Sequence, residues 1–424
     1  MDRRDGRAGP ALRWLYVDFN SYFASVEQQL EPRLRGRPVA VVPVDTDSTC
    51  AIAASYEAKA FGVRTGTPIY EAKRLCPEII CVLARHEHYV DFHHRIIAEI
   101  DRHVPVAAVC SIDEMACQLM ENEATEPALI RIAAAIKAGL RERIGVAICC
   151  SIGAAPNRYL AKVATDLEKP DGFTILRAED LPARLLLLPL RDFPGIGANM
   201  ERRLIAQGIT STRAMMALDR PQMRRVWGSI WGERMWYLLR GVDLPELQTE
   251  RRSVGHSHVL APDMRGPVAA GEVARRLVLK AGSRLRRMGY YATTLTLSLR
   301  FEHGARVETQ ERFWRAQDNI TLLARLNQAW TRLGKGGGRI KKLSVTLHGL
   351  VPVDGVQDDL LLPVSGLEMA ERAKAERLSH AMDKLNLRFS RDTVLLGVMP
   401  SRANPYAGTK IAFTRIPDRE EFFE

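Results

Sequence analysis

The first 180 residues alternate between short apolar runs and longer segments in which apolar residues recur with a helical period. The runs predict buried strands, and the longer segments predict amphipathic helices. The predicted strands are at 14–17, 38–44, 106–120 and 146–155. The predicted helices are at 54–66, 67–77, 88–103, 128–145 and 157–170. Strands that alternate with helices in this way predict an α+β catalytic domain.

The pattern changes after this domain. Residues 183 to about 247 are helical in pattern, with short turns at PGIG (194–197) and WGSIWGE (227–233). TERRSVG (249–255) is polar and has no period, which predicts a linker. The elements predicted beyond it are helices at 267–288, about 311–333 and 367–387, strands at 291–301, 340–350 and about 393–398, and a loosely structured tail at 401–424. The chain as a whole is therefore expected to be a multidomain α+β protein.

Length and charge narrow the classes of protein that remain. A chain of 424 residues predicts roughly two to four domains. The net charge is +11, and residues 251–350 alone hold 19 Lys and Arg against 6 Asp and Glu. Such a local excess indicates a polyanionic partner, although a basic surface that only aids solubility is the alternative.

The chain shows no sign of membrane insertion or of a disulfide framework. No apolar run is long enough to span a bilayer, and the polar start MDRRDGRAGP has no apolar signal core. The seven cysteines include no CxxC pair and no zinc-ligand spacing. We therefore expect a cytoplasmic protein with reduced thiols and no membrane partner.

Acidic residues interrupt two of the predicted strands. Asp18 ends the strand at 14–17, and Asp113 and Glu114 stand in SIDE (111–114). A carboxylate beside a strand core is costly unless it is paired or binds a metal, and hard divalent cations such as Mg²⁺ accept such oxygens. Neighbouring residues on a strand face opposite ways, so Asp113 and Glu114 can share a site only at a strand end or bulge. Separate surface or capping acids remain the alternative.

Four motifs, taken together, indicate which family the chain resembles. VDFNSYFASVEQQLEPRLRGRPVAVV, ASYEAKAFGVRTGTPIYEAKRLCP, SIDE and SIGAAPNRYLAKVATDLEKPDG are similar, in order and spacing, to motifs of the Y-family translesion DNA polymerases. The similarity runs from residue 12 to about 400. It implies a right-hand polymerase. The implied parts are a flexible N-terminus at 1–11, a palm at 12–180 with fingers inserted at about 30–87, a helical thumb at 181–248, a linker at 249–255, a little finger at 256–400 and a tail at 401–424.

The resemblance implies a catalytic centre. Asp18, Asp113 and Glu114 would be its catalytic, metal-binding carboxylates, with the carbonyl of Phe19 as a further ligand. They would hold two Mg²⁺ ions, for which Mn²⁺ can substitute, and support template-directed addition of deoxynucleotides to a primer 3′ end. Phe23 would be the steric gate, the ring that excludes a 2′-hydroxyl. Its alternative is ordinary core packing.

The same resemblance implies a nucleotide site with three departures from the family pattern. The implied contacts to the incoming nucleotide are Tyr22, Phe23, Tyr56, Lys59 and Lys169. Arg is usual in the family where this chain has Lys59, a hydroxyl residue is usual at Ala53, and 115–118 (MACQ) differs from the usual continuation of SIDE. A lysine offers a point charge in place of a bidentate fork. Affinity for nucleotide and rate are the properties that these departures affect.

Primer-template DNA is the implied polyanion. Gly195 and Gly197 of PGIG would form the turn of a helix-hairpin-helix, which binds phosphate without reading sequence; a plain interhelical turn is the alternative. The basic residues expected to contact DNA are Arg275, Arg276, Lys280, Arg284, Arg286, Arg287, Arg339, Lys341 and Lys342. Backbone contacts of this kind are independent of sequence and sensitive to salt.

A short peptide suggests a protein partner. QDDLLL resembles the peptide with which bacterial polymerases bind the sliding clamp, through Gln357, Leu360, Leu361 and Leu362. The alternative is a loop whose leucines return to the core. The polymerase itself is expected to be a monomer. The rival function is a catalytically weak or inactive polymerase-like accessory protein that binds DNA and the clamp. None of the ten histidines is assigned a role.

Overall fold

The fold is taken from a computed structural model of the chain. The residues it describes are 11–247, 251–333, 338–354, 366–389 (366–368 by backbone only), 393–397, Ile411 and Ile416. The chain divides into two compact units. The first consists of residues 1–246 with 409–422, and the second of 247–408 with 423–424.

The first unit contains eight described strands and ten described α-helices. The strands are β1 (Trp14–Phe19), β2 (Val39–Val42), β3 (Ala53–Ala54), β4 (Ile80–Leu83), β5 (Val106–Ser111), β6 (Glu114–Gln118), β7 (Cys150–Ala155) and β8 (Phe173–Ile175). The helices are α1 (Tyr22–Leu30), α2 (Tyr56–Ala60), α3 (Ile69–Leu75), α4 (His86–Ile100), α5 (Glu126–Gly139), α6 (Arg158–Leu167), α7 (Ala198–Ile205), α8 (Thr212–Met216), α9 (Arg220–Trp227) and α10 (Ile230–Leu238).

A five-stranded sheet of order β5-β6-β1-β7-β8 forms the centre of this unit. Strand β1 is antiparallel to both of its neighbours. Leu15, Val17 and Phe19 pack into one apolar core with α4 and α5, whereas Tyr16 packs into another with α6. Both faces of β1 are therefore covered, which explains why its sequence is a continuous apolar run. Asp18 lies on the same face as Tyr16, towards α6.

A smaller lobe is inserted between α1 and α4. Strands β3, β2 and β4 form its sheet, and α2 and α3 accompany them. It has an apolar core of its own, which includes Val42, Ile69 and Ala72. The helix predicted at 54–66 is shorter than expected, because its first residues pair with β2 and the chain turns at Gly62 with φ +88°.

The second unit is an α+β sandwich of one sheet and three helices. Its described elements are β9 (Ser253–Val259), α11 (Pro267–Arg287), β10 (Tyr290–Phe301), β11 (Arg306–Ala316), α12 (Asn319–Leu333), β12 (Ile340–His348), β13 (Val351–Pro352) and α13 (Gly366–Phe389). The sheet has the order β11-β10-β12-β9. Leu295, Leu297 and Leu299 of β10 pack against α11 and α12, so the helices cover one face of the sheet.

Three predicted elements of this unit were wrong. Residues 306–316 form β11 and not the start of a helix, because their polar and apolar side chains alternate and pair with β10. The predicted linker ends early, since β9 begins at Ser253 and pairs with β12. Residues 393–397, predicted as a strand, form bends. The tail at 401–424 lies outside the described residues except for Ile411 and Ile416, which pack on the core of the first unit. No helix in the described ranges is long and apolar enough to cross a bilayer.

Candidate active site

The turn between β5 and β6 carries two of the three predicted acids. Strand β5 ends at Ser111 and β6 begins at Glu114, so Ile112 and Asp113 form the turn. The backbone N–H of Phe19 donates to the carbonyl of Asp113 at 2.9 Å. Glu114 pairs directly across from Asp18 on β1. Asp113 and Glu114 therefore stand at a strand end, the position that neighbouring acids must occupy if they are to share a site.

Asp113 lies in an acidic and largely buried environment. The hydroxyl of Ser111 donates to its Oδ1 at 2.5 Å. Burial, together with the nearby carboxylates Glu114 and Asp18, raises the pKa of Asp113 to about 6 against the lowering effect of the Ser111 hydrogen bond. An acid with a raised pKa beside two other acids marks a place where negative charge accumulates without full compensation.

Two lysines from the α6 region neutralise part of this charge. The ammonium of Lys162 contacts Asp18, and lies 3.0 Å from Oε1 of Glu114 and 3.3 Å from Asp166. Lys169 lies 2.9 Å from Asp18 and 2.7 Å from Asp166. Lys162 and Asp166 were missed in the sequence, although their i,i+4 spacing places them on one helix face, seven and three residues before Lys169.

A glycine brings this helix close enough to the sheet. Gly153 of β7 pairs with Tyr16, and a Cβ at position 153 would lie 2.2 Å from the carbonyl oxygen of Ala161 on α6. Only glycine permits this approach. It sets Lys162, the next residue on α6, over the end of β1. Tyr16 completes the contact by donating its hydroxyl to Oε2 of Glu114 at 3.2 Å.

The carboxylates of Asp18, Asp113 and Glu114 are of the type that a hard divalent cation binds. Two of them, however, contact the ammonium of Lys162. Asp18 and Glu114 already converge on one positive charge, the ammonium of Lys162. Mutual repulsion of three acids is what a divalent ion relieves, and carboxylate oxygens are its usual ligands. As placed, no three His, Cys, Asp or Glu side chains of the described residues form a metal-binding group. Asp113 instead bonds Ser111.

Phe23 lies on α1, one turn after the end of β1. Its ring stacks on Tyr89 of α4, with centroids 4.4 Å apart and an interplanar angle of 16°. Tyr89 in turn donates its hydroxyl to the fully buried Glu27 at 2.6 Å. Phe23 itself stays partly exposed. The ring is therefore packed against Tyr89 and is not fully buried.

The predicted contact between Tyr22 and the nucleotide is not available to its side chain. Tyr22 is 3% exposed, and its hydroxyl donates to the carbonyl of Tyr89 at 2.6 Å. Aromatic residues next to each other on a helix point in different directions, so burial of Tyr22 accompanies exposure of Phe23. The prediction for the Tyr22 side chain is wrong.

The small lobe contributes Tyr56 and Lys59 from α2. The Lys59 ammonium lies 4.2 Å from the centre of the Tyr56 ring. Burial lowers the pKa of Lys59, and the charge of Lys169 lowers it further. Burial also raises the pKa of Tyr56 to about 12, with Cys149 and Asp18 as further causes. The side chains of Tyr56 and Lys59 are therefore influenced by the charged groups around Asp18. Ala53 of β3 is 8% exposed and offers no hydroxyl.

The PGIG turn precedes α7. Gly195 has φ +90°, which favours glycine, and Gly197 is the residue before the helix. Ile196 between them is 2% exposed and anchors the turn in the core, while both glycines are exposed. The element before the turn is a short 3₁₀ segment (Leu190–Asp192) rather than a full helix.

The basic residues predicted to contact DNA differ in exposure: one is buried, and the others are partly or fully exposed. Arg286 is wrong as a DNA contact, because its side chain is 1% exposed and forms a two-pronged ion pair with Asp383 at 2.6 and 2.8 Å. It also donates to the carbonyl of Gln317 at 2.5 Å. Arg339 is mostly exposed and pairs with Glu302 at 3.2 Å. The others, partly or fully exposed, are Arg275, Arg276, Lys280, Arg284, Arg287, Lys341 and Lys342.

A polar sheet face was not recognised as a binding surface in the sequence. The face of the β11-β10-β12-β9 sheet opposite α11 and α12 carries short hydroxyl residues flanked by cations. We call it the open sheet face, and its members include Thr294, Ser298, Arg300, Arg306, Gln310, Arg312, Trp314, Lys342 and Ser344. The alternation of Leu and Thr or Ser along 291–301 was the signal that predicts such a face.

Family models and individual proteins that are similar to this chain agree with one another over most of its length. A model of the impB/mucB/samB family matches residues 17–166, and a model of the C-terminal domain of that family matches 251–360. The chain is 33% identical over 400 residues to DNA polymerase IV of Pelotomaculum thermopropionicum, over 91% of this chain and 94% of that protein. It is 32% identical over 386 residues to DNA polymerase IV of Moorella thermoacetica, over 88% and 93% of the two chains.

Solved structures agree with these relatives. The chain is similar to a Y-family DNA polymerase chimera, Dbh-Dpo4(243-245)-Dbh, with a TM-score of 0.67 and 25% identity, over 80% of this chain and 99% of that chain. An insertion ternary complex of Dbh DNA polymerase has the same fold, with a TM-score of 0.53 and 24% identity over the same shares of the two chains.

Proposed function

The chain belongs to the Y family of DNA polymerases, and we propose that the acids at the end of β1 are its catalytic centre. It is a template-directed DNA polymerase of the translesion type with a right-hand, multidomain α+β fold. The observation that carries the catalytic proposal is the turn at 112–113, which sets Asp113 and Glu114 beside Asp18. The alternative function, an accessory protein without catalysis, is not favoured, since the relatives of this chain are named as DNA polymerases.

The polymerase parts follow the elements of the two units. We assign the palm to residues 12–180, the fingers to the lobe inserted at about 30–87 and the thumb to 181–248. The little finger is assigned to about 256–400, although β9 shows that its sheet begins at Ser253. These boundaries are supported by the separate cores of the sheet, the small lobe and the second unit.

Polymerases of this family depend on metal, and we propose Mg²⁺ as the ion here. The carboxylates of Asp18, Asp113 and Glu114 and the carbonyl of Phe19 would hold two ions. When bound, such ions activate the primer 3′-hydroxyl and neutralise charge on the leaving pyrophosphate. Lys162, which now pairs with Asp18 and Glu114, keeps these carboxylates together in a compact arrangement.

The lysines around the acids would orient the incoming dNTP. Lys59, Lys162 and Lys169 present positive charge on two sides of Asp18. Ammonium groups there would bind triphosphate oxygens and offset the charge that develops during transfer. Lys59 would provide a single point charge, whereas an arginine at this position could donate two parallel hydrogen bonds. Phe23, stacked on Tyr89, would lie under the sugar and exclude a 2′-hydroxyl.

We assign DNA binding to three surfaces. The exposed glycines of PGIG offer backbone N–H groups to a phosphate. The open sheet face and the exposed arginines of α11 offer hydroxyls and cations, which suit the backbone of any sequence. The proposed clamp peptide, Gln357 and Leu360 to Leu362, lies outside the described residues and rests on its sequence. A monomeric, cytoplasmic enzyme is also proposed from sequence.

Primer extension tests the proposal directly. The wild-type protein and the Asp113→Ala/Glu114→Ala double variant are given a primed, undamaged template, Mg²⁺ and each dNTP singly. Templated addition by the wild type alone is expected. If neither protein extends the primer while both bind DNA in a salt-dependent way, the accessory function replaces the polymerase. Equal extension by both proteins would place the catalytic acids elsewhere.

A further inference from the structure

One histidine of the first unit is buried in an apolar layer. His93 lies on α4 on the same face as Tyr89 and Ile96, and is 2% exposed. The neighbouring His94 is exposed. Burying an imidazole among apolar side chains is costly unless its polar atoms are hydrogen-bonded. The position therefore calls for a specific partner.

That partner is the turn that carries Asp113. Nδ1 of His93 lies 2.7 Å from the carbonyl oxygen of Ile112. Because a carbonyl only accepts, Nδ1 must carry the hydrogen and donate it. Burial lowers the pKa of His93 to about 4, so the ring is neutral at ordinary pH and exists as the Nδ1–H tautomer.

The turn is thereby held from three directions. The N–H of Phe19 fixes the carbonyl of Asp113 from β1. Ser111 fixes the Asp113 carboxylate from the end of β5. His93 fixes the preceding peptide from α4, on the opposite side of the sheet from Lys162. Rotation of the Ile112–Asp113 peptide would break the bond to His93 and redirect the carboxylate.

We propose that His93 is a positioning residue that orients Asp113 for metal binding through the carbonyl of Ile112. The inference rests on the proposed function, since it assigns His93 a part only if Asp113 is a metal ligand. Partners one step removed from a metal commonly set ligand orientation in this way. His93 touches neither substrate nor ligand oxygen, so its effect is on geometry.

Matched variants separate this role from simple packing. His93→Leu fills the space without a donor, His93→Asn keeps an N–H donor near the place of Nδ1, and His94→Ala is the exposed neighbour as control. Each is checked for folding by thermal unfolding. Affinity for Mn²⁺ is then measured without DNA or nucleotide by electron paramagnetic resonance. The kcat and KM for insertion of a single dNTP complete the set.

His93→Leu is expected to weaken Mn²⁺ binding and to lower kcat by about ten-fold each, the low end for outer partners of a metal site, with KM changed less than about two-fold. His93→Asn should recover most of both losses, and His94→Ala should match wild type. Unchanged Mn²⁺ affinity in a folded His93→Leu, or no recovery by His93→Asn, would overturn the inference.

Two further measurements keep the outcomes distinct. Asp113→Asn must lose Mn²⁺ affinity if the metal site is where we propose; if it does not, the proposed function fails and not only the role of His93. If His93→Leu does not fold, ¹⁵N NMR of the wild-type ring decides. The Nδ1–H tautomer supports the hydrogen bond to Ile112, and the Nε2–H tautomer refutes it.

Discussion

Two acids of the first unit, Glu99 and Asp113, have pKa values that are shifted in opposite directions by their surroundings. Glu99 on α4 is 3% exposed, receives two hydrogen bonds from Arg143 and lies 2.8 Å from Nε2 of His103. These partners, led by Arg143, lower the pKa of Glu99 to about 2. Burial, with the neighbouring acids Glu114 and Asp18 as further causes, raises the pKa of Asp113 to about 6, although the Ser111 hydroxyl lowers it.

The difference is that the charge of Glu99 is compensated by a side chain of the fold, whereas the charge of Asp113 is not fully compensated. Glu99 is paired with the cation of Arg143 and adds to stability whenever it is ionised. Among the described residues no such cation pairs with Asp113, so the ionised form of this acid is costly in the folded protein. Arg286 with Asp383 in the second unit belongs to the structural kind, although its sequence context suggested a DNA contact.

Among the variants that leave the three acids intact, the largest effect is expected for Phe23, an uncharged side chain near the proposed catalytic centre. Phe23→Val removes the ring that Tyr89 supports, and should raise insertion of ribonucleotides relative to deoxynucleotides by about 100-fold, the scale on which an apolar pocket discriminates a hydroxyl. Thermal stability should change little, because Phe23 is partly exposed. Single-nucleotide insertion with paired rNTP and dNTP measures this ratio. An unchanged ratio would reject the gate.

Removing one partner of a structural ion pair should cost stability and not DNA affinity. Arg286→Leu leaves Asp383 without its partner, and should lower the free energy of unfolding by about 2 kcal/mol, below the range for fully buried pairs because Asp383 is 28% exposed. Arg287→Ala, its exposed neighbour, should change stability by less than about 0.5 kcal/mol. Urea unfolding of both variants makes the comparison. A loss of DNA affinity confined to Arg286→Leu at constant stability would contradict it.

Glu99 should give a smaller effect with a definite pH dependence. Its folded pKa lies below the ordinary 4.5, so its contribution is present above about pH 4.5 and is lost as pH falls towards 2. Glu99→Gln should therefore be less stable than wild type at pH 7 by about 1 kcal/mol, the value of a hydrogen bond to a charged group with partly exposed partners. Urea midpoints between pH 7 and 2 should converge at the acid end. Parallel curves would argue against the ion pair.

The sequence predicted most elements of the first unit because its strands and helices carry strong periods. It predicted the acids of the site from their places at strand ends. It did not predict Lys162 as their cation, because that contact depends on the close approach of α6 at Gly153. Nor did it separate Arg286 from Arg287, which differ by about 100° around one helix and so in burial. The first residues of the helix predicted at about 311–333 belong to β11, whose alternation of polar and apolar side chains and hairpin pairing with β10 are the local signals that were missed.

The stability and activity of one variant, Asp113→Asn, test the proposed catalytic centre most directly. The folded pKa of Asp113 is raised above its unfolded value of 3.8, so the ionised group costs stability above about pH 6, and this cost disappears as pH falls to 4. At pH 7.5 and without metal, the variant should be about 2 kcal/mol more stable than wild type. Its single-nucleotide insertion with Mg²⁺ should be at least 100-fold slower, with DNA affinity unchanged. A variant that is less stable, or that still inserts nucleotides at the wild-type rate, would contradict the assignment of these acids as the catalytic centre.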